Sequence, residues 1–135
     1  MKKIVLSALL LASISVVTSC KKEKVKGCTT SYATNYNSTA EEDDGSCTYE
    51  GSVVFWQTAP VASVNVYLDN VLVGNSNVTF ATAPSCGNGA ALNVKKNLGT
   101  SKSANYSLTV RINNGPIIAG GNVTFEANTC TKVQL

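Results

Sequence analysis

The chain has 135 residues and a net charge of +3, with 11 Lys and Arg, 8 Asp and Glu, and no histidine. This mild charge excludes the basic stripe typical of nucleic-acid-binding domains, so no nucleic-acid partner is expected. The absence of histidine excludes Ser-His and Cys-His nucleophile systems.

The first 20 residues, MKKIVLSALLLASISVVTSC, have the parts of a signal peptide: two lysines followed by the apolar run 4–17. This run is shorter than the roughly 20 apolar residues that a membrane-spanning helix needs. The ending VTSC resembles the lipobox of bacterial lipoproteins, which implies that residues 1–19 are removed and that Cys20 is lipidated. The alternative is an ordinary secretory signal followed by an unrelated cysteine.

Residues 20–27 are expected to be the lipidated cysteine and a charged tether, KKEKVKG. The resemblance implies attachment to a membrane of the cell envelope through several acyl chains, since one chain alone binds only marginally. The same resemblance implies that Lys21, in place of aspartate after Cys20, disfavours retention in the inner membrane and favours the outer membrane, on either its periplasmic or its surface side. Removing Lys2 and Lys3 from a net charge of +3 leaves +1.

Four cysteines remain after Cys20, and an even number in an exported chain predicts two disulfides. They are Cys28, Cys47, Cys86 and Cys130. Three connectivities are allowed, and locality favours Cys28–Cys47 and Cys86–Cys130. The sequence has no C-x-x-C pair and no histidine, so a zinc site is not expected.

Residues 28–50 are predicted to be a cysteine-bounded loop module before the main domain. The stretch GCTTSYATNYNSTAEEDDGSC resembles a repeat of Bacteroidota-type surface proteins of the form GCTD-x-x-A-x-NYN-x-x-A-x-x-DDGSC. Thr30 stands where that pattern has aspartate. The resemblance supports the module as a unit and names no ligand.

The acidic end of this module offers oxygen donors of the kind that calcium prefers. The candidate calcium ligands are Asp43, Asp44, Asn35 and Asn37, and no cofactor other than calcium is expected. The EF-hand spacing is absent. Turn residues such as Asp44-Gly45 equally support a purely structural clasp, and a redox switch is the third alternative.

Residues 51–135 alternate apolar and polar residues as β-strands do. In VNVYLDNVLVG, Asp69-Asn70 suits a two-residue type I′ turn because both residues tolerate positive φ. That turn would pair Leu68 with Val71 and Val66 with Val73, and it would put all four on one face.

Further strands are expected on the same grounds. They are a first strand with Val53 and Phe55, a short middle strand at Val78 to Phe80, a long strand in ANYSLTVRI, and a last strand at 130–135. The strand after Asn113-Asn114-Gly115-Pro116 should point four apolar residues inward, namely Ile117, Ala119, Val123 and Phe125. Within it, Gly120-Gly121 predicts a bulge.

About seven short strands predict an all-β fold, a small two-sheet antiparallel sandwich preceded by the disulfide-bounded loop module. The hairpin resembles the PEGA-like or carboxypeptidase-regulatory-like β-sandwiches, which implies the same fold and no particular function.

The expected function is non-catalytic: a lipid-anchored envelope protein with a structural or interaction role and an envelope protein or glycan as partner. The alternatives are a glycan-binding accessory lipoprotein and an inhibitor of an envelope enzyme. Trp56 is the candidate glycan-stacking residue, because Phe55 and Trp56 are adjacent and one of them should face outward in a regular strand. The competing expectation is that Trp56 is covered by a neighbouring segment.

Overall fold

The computed structural model describes residues 22–59 and 63–135, and within these ranges the chain forms strands and no helix. Nine strands are present there: β1 Lys26–Gly27, β2 Glu42–Asp43, β3 Tyr49–Trp56, β4 Val64–Leu68, β5 Val71–Ser76, β6 Leu92–Gly99, β7 Ser103–Ile112, β8 Ile117–Glu126 and β9 Cys130–Gln134. The last seven form a three-stranded and a four-stranded sheet, which confirms the expected all-β sandwich. β1 and β2 form a small parallel pair within the cysteine-bounded module.

The three-stranded sheet has the order β6-β3-β9, with β3 in the centre. β3 is antiparallel to β6 but parallel to β9, so the sandwich is not antiparallel throughout as expected. Parallel neighbours require a crossover connection, and here the whole four-stranded sheet lies between β3 and β9 in sequence.

The sequence prediction missed β6 and placed a strand at residues 78–80 instead. The structure gives that segment only an isolated bridge between Gln57 and Thr79. β6 does alternate, since Val94 and Leu98 are buried, but its two adjacent lysines hide the pattern.

The four-stranded sheet has the order β5-β4-β7-β8 and is antiparallel throughout. Asp69 and Asn70 have φ values of 48° and 65°, which confirms the predicted turn. Leu68 pairs with Val71 as predicted, but Val71 is 62% exposed and does not share the buried face.

The predicted pairing of Val66 with Val73 is wrong, because a bulge shifts the register and Val66 pairs with Gly74. Gly74 has a φ of 154°, and a Cβ there would lie 2.5 Å from Leu92 Cδ1 in the other sheet. The bulge thus places a residue without a side chain where a Cβ would collide with Leu92 of the other sheet.

β8 also differs from the prediction. Val123 and Phe125 are buried, but Ile117 and Ala119 are exposed. The irregularity lies between the pairs Val110–Ala119 and Arg111–Ile117, whereas Gly120-Gly121 pairs regularly with β7. Alternation identifies the residues that share a face, but it does not show how much of that face the second sheet covers.

One buried cluster joins both sheets and the cysteine-bounded module. Its sandwich members include Phe55 and Phe125, both 0% exposed, and the Tyr106 ring lies edge-on to Phe125 at 5.2 Å between centroids. Its members from the module are Cys28, Ala33 and Cys47. The module therefore packs on the sandwich instead of standing apart from it.

The outer face of β3 is buried as well, since Val54 is 0% exposed and Trp56 9%. Residues 77–91, which we call the tethered segment, are linked to this sheet by the Cys86–Cys130 disulfide. The Asn93 side chain also accepts from Gly87 N at 2.9 Å and donates to Asn88 O at 2.7 Å. Asn93 pairs with Val54 of β3, so these bonds place the tethered segment on the outer face of the three-stranded sheet, the face that also carries Trp56.

Candidate functional site

Cys20 and the signal-like residues 1–19 lie outside the described residues, so lipidation stays a prediction. Along the described parts of the chain, no helix has the length and apolarity needed to cross a membrane.

The four other cysteines form Cys28–Cys47 and Cys86–Cys130, the pairing that locality favoured. The Cα atoms are 4.8 and 6.3 Å apart, respectively, within the range usual for disulfides. The first bridge is buried and the second lies near the surface, where Cys86 is exposed.

The carboxylates of Asp43 and Asp44 make local hydrogen bonds in the acidic turn. Asp43 Oδ1 accepts from Gly45 N at 2.8 Å and Oδ2 accepts from the Thr29 hydroxyl at 3.1 Å. Asp44 Oδ1 accepts from Ser46 N at 2.9 Å. Hydrogen bonds from the Ser46 hydroxyl and backbone N–H hold the pKa of Asp44 below its ordinary value of 3.8, because they stabilise the charged form.

The two asparagines of the candidate calcium site act in different turns. Asn35 donates to Ser46 O at 2.7 Å and accepts from Thr48 N at 2.8 Å, which closes the module. Asn37 Oδ1 accepts from the backbone N–H and the hydroxyl of Thr39. These are the contacts expected of a structural clasp.

Within the described residues, no group of three or more His, Cys, Asp or Glu side chains is arranged to hold a metal ion. Calcium binding therefore stays a prediction. The melting temperature of the full chain with calcium and with a chelator tests it, and coincident curves would contradict it.

The module is held against the sandwich by an aromatic contact. The Tyr32 ring lies 5.7 Å from the ring of Tyr49, the first residue of β3. The Lys102 ammonium lies 6.0 Å from both ring centroids. A hydrogen bond with the Tyr32 phenol raises the pKa of Lys102 above its ordinary value of 10.5, because this bond stabilises the charged ammonium beside these rings.

Trp56, the candidate glycan-stacking residue, lies in the buried part of β3 and is 9% exposed. The expectation that a neighbouring segment covers it matches this burial. An indole that is covered in this way offers no open face on which a sugar ring could stack.

Two shallow depressions lie on the described surface. The first, of about 290 Å³, lies at the seam between the module and the three-stranded sheet. It is lined by Tyr32, Thr34, Glu50, Gly51, Ser52, Lys95, Asn128, Thr129 and Cys130. Lys95 Nζ lies 3.1 Å from Glu50 Oε1, so the two charges in this seam depression neutralise each other.

The second depression, of about 300 Å³, lies on the outer face of the four-stranded sheet. This sheet-face depression is lined by Tyr67, Asn70, Thr109, Arg111 and Asn114. Tyr67 pairs with Thr109 across β4 and β7, which brings their side chains together on one face.

The alternation in VNVYLDNVLVG and ANYSLTVRI puts Tyr67, Thr109 and Arg111 on the faces opposite the apolar residues, but it does not identify them as a site. Alternation gave the correct face for each strand separately. The missing information was that β4 lies beside β7, forty residues further along the chain, and this pairing has no local signal in the sequence.

Comparison of the chain with protein-family models, with curated proteins and with solved structures finds no match.

Proposed function

We propose that the protein is an exported, lipid-anchored component of the cell envelope, without catalytic activity, that presents a rigid β-sandwich for structural or interaction purposes. The observation that carries the proposal is the shared core: Cys28, Ala33 and Cys47 are buried in one cluster with the sandwich residues. Because the module shares a core with the sandwich, the rigid part of the protein begins at the module, close in sequence to the proposed lipid anchor at Cys20.

The distance to the membrane follows from the tether. If Cys20 carries the lipid, residues 21–25 separate it from β1, which begins at Lys26. Five extended residues span at most about 18 Å. The sandwich would then stay close to the lipid head groups. The tether lysines Lys22 and Lys24 would favour a membrane surface that carries anionic lipids.

An oxidising compartment is supported by the two disulfides, which persist in exported proteins and are rare in the cytosol. Together with the lipobox-like VTSC, this favours the cell envelope, and Lys21 in place of aspartate after Cys20 favours its outer membrane, with the periplasmic and surface sides both open.

The proposal of no catalysis is supported by the charges around the two depressions. The seam depression has one carboxylate, Glu50, which is paired with Lys95. The sheet-face depression has one cation, Arg111, and no carboxylate among its lining residues. Neither depression has a pair of carboxylates, and in the seam depression the Ser52 hydroxyl donates to Thr129 O while Lys95 is paired with Glu50, so the two do not form a nucleophile and its base.

Lipid anchoring is tested by growing cells that express the full chain with an alkyne-tagged fatty acid and separating membranes from soluble protein. Wild type should carry the label and sediment with the membrane. Cys20→Ser should lose both the label and the sedimentation, while Ser19→Ala keeps a small residue before the cysteine and should retain both. A labelled, membrane-bound Cys20→Ser protein would contradict the proposal.

Glycan binding is a second candidate function, and the sheet-face depression favours it. Tyr67 is partly exposed there and is surrounded by amide, hydroxyl and guanidinium groups. An affinity pull-down from envelope extract with the full chain separates the candidates: polysaccharide on the column supports glycan binding, and a single protein supports protein interaction.

A further inference from the structure

The sheet-face depression has one formal charge, and it is positive. Arg111 donates from Nη1 to Gly115 O at 3.0 Å, whereas a guanidinium has five N–H donors. The two ion pairs among the described residues are Lys26–Glu42 and Lys95–Glu50, and neither includes Arg111. Most of the hydrogen-bonding capacity of this guanidinium is therefore available to a ligand.

The turn between β7 and β8 is fixed at the edge of this depression. Asn65 Nδ2 donates to Asn113 O at 2.6 Å and to Asn114 Oδ1 at 2.9 Å. The Tyr67 hydroxyl lies 3.5 Å from the same Asn114 oxygen. These contacts hold Asn114 and Tyr67 in place before any ligand arrives, which lowers the entropy cost of binding.

Asp69 is the acidic residue next to the lining residue Asn70 in sequence, and its carboxylate accepts a hydrogen bond from a residue that does not line the depression. Its Oδ1 accepts from Ser107 N at 2.8 Å, and Asp69 is not among the residues that line the depression. The one charge among the lining residues is therefore that of Arg111, which complements an anion, and the planar guanidinium matches the two oxygens of a carboxylate.

We propose that the sheet-face depression binds a carboxylate-bearing saccharide, with the carboxylate on Arg111 and a sugar ring against Tyr67. This inference rests on the interaction role proposed above and names the ligand class and the site. Asn70, Thr109 and Asn114 provide the amides and the hydroxyl that sugar hydroxyls need. A peptide is less well matched, because the depression is open and polar and has no apolar pocket for a side chain.

The test is calorimetric titration of the full chain, purified in detergent, with three acidic probes: trigalacturonate, a hyaluronan tetrasaccharide and sialyllactose. At least one should bind, and its neutral counterpart without the carboxylate should bind about tenfold more weakly or worse, because a charge-assisted hydrogen bond is lost. Binding should also weaken with added salt.

Arg111→Ala should weaken binding about tenfold or more, and Arg111→Lys should give an intermediate loss, because lysine keeps the charge but not the bidentate geometry. Lys95→Ala, which removes a cation from the seam depression, is the matched control and should change the affinity by less than about twofold.

Position 70 provides variants that preserve the turn. Asn70→Asp tolerates the positive φ of 65° but adds a negative charge at the edge, so it should weaken binding about threefold or more. Asn70→Gly keeps the turn and removes the amide without adding a charge, so its loss of affinity should be smaller than that of Asn70→Asp.

Three results would overturn the proposal: no binding of any acidic probe, equal binding of the neutral counterparts, or equal losses for Lys95→Ala and Arg111→Ala. Tighter binding of a carboxylate-terminated tripeptide than of every saccharide would also overturn it. The titration does not depend on lipidation, so its failure is distinguishable from a failure of the anchoring experiment.

Discussion

The two disulfides of this protein join residues in different physical settings. Cys28 and Cys47 are 1% and 7% exposed and belong to the same buried cluster as Phe55 and Phe125. Cys86 is exposed, and its bond to Cys130 ties the tethered segment to the edge strand β9. The first bridge is part of the core, and the second attaches the tethered segment to the outside of the three-stranded sheet.

Loop length alone predicts that the Cys86–Cys130 bridge stabilises the fold more than the Cys28–Cys47 bridge does. Sequence separations of 19 and 44 residues correspond to about 3 and about 4 kcal/mol in the chain-entropy model. Burial adds a packing contribution to the Cys28–Cys47 bridge that the exposed bridge lacks. The comparison teaches that burial, and not loop length, decides which bridge matters more to the fold.

The largest effect is expected for the double variant Cys28→Ala with Cys47→Ala. It should lower the free energy of unfolding by about 5 kcal/mol, about 3 from loop closure and about 2 from lost packing. Urea unfolding of the full chain, followed by the fluorescence of Trp56, the single tryptophan, measures it. A loss below about 2 kcal/mol would show that this bridge is not part of the core.

The matched variant Cys86→Ala with Cys130→Ala should lose less, about 2 to 3 kcal/mol, because the tethered segment gains freedom in the folded state as well as in the unfolded state. The fluorescence of native Trp56 should also shift to the red as its cover loosens. A larger loss than that of the first double variant would reverse the comparison.

The sequence was sufficient where a signal was local. Asp69-Asn70 predicted its turn, and the alternation of Val64, Val66 and Leu68 predicted the buried face of β4. The even number of cysteines predicted two disulfides, and locality favoured the pairing that the structure has.

Apart from the missed β6, where two adjacent lysines hide the alternation, the errors depended on distant parts of the chain. The bulge at Val73 follows from the approach of Gly74 to Leu92, and the exposure of Ile117 follows from how far the second sheet extends. The sheet-face depression depends on the pairing of β4 with β7, and the tethered segment is attached to the three-stranded sheet through Cys86 and Cys130, 44 residues apart. No local pattern encodes these contacts.

A smaller effect is expected at the contact between the module and the sandwich. Tyr32→Ala should lower the free energy of unfolding by about 1 kcal/mol, because it removes the ring stacked near Tyr49 and the partner of Lys102. Tyr36→Ala is the matched control: Tyr36 is 45% exposed and should have little effect. Equal losses for the two variants would argue against a specific contact at Tyr32.

The smallest effect concerns pH and the exposed acidic turn. Because the pKa of Asp44 is lowered when the chain folds, its contribution to stability is present above the ordinary value of 3.8 and is lost as the pH falls through the folded value. An NMR titration of the Asp44 carboxyl should give a midpoint below 3.8, and Ser46→Ala should raise it. A wild-type midpoint at or above 3.8 would contradict the hydrogen bonds of this turn.

The claim that the cysteine-bounded module belongs to the core is tested most directly by the order in which the two disulfides are reduced. The folded full chain is treated with a mild thiol, the new thiols are alkylated at intervals, and the labelled cysteines are identified by mass spectrometry. Because thiol attack requires access to sulfur, Cys86 and Cys130 should be labelled first, with Cys28–Cys47 intact until the chain unfolds. Labelling of Cys28 and Cys47 first, or of all four cysteines at one rate, would contradict the account.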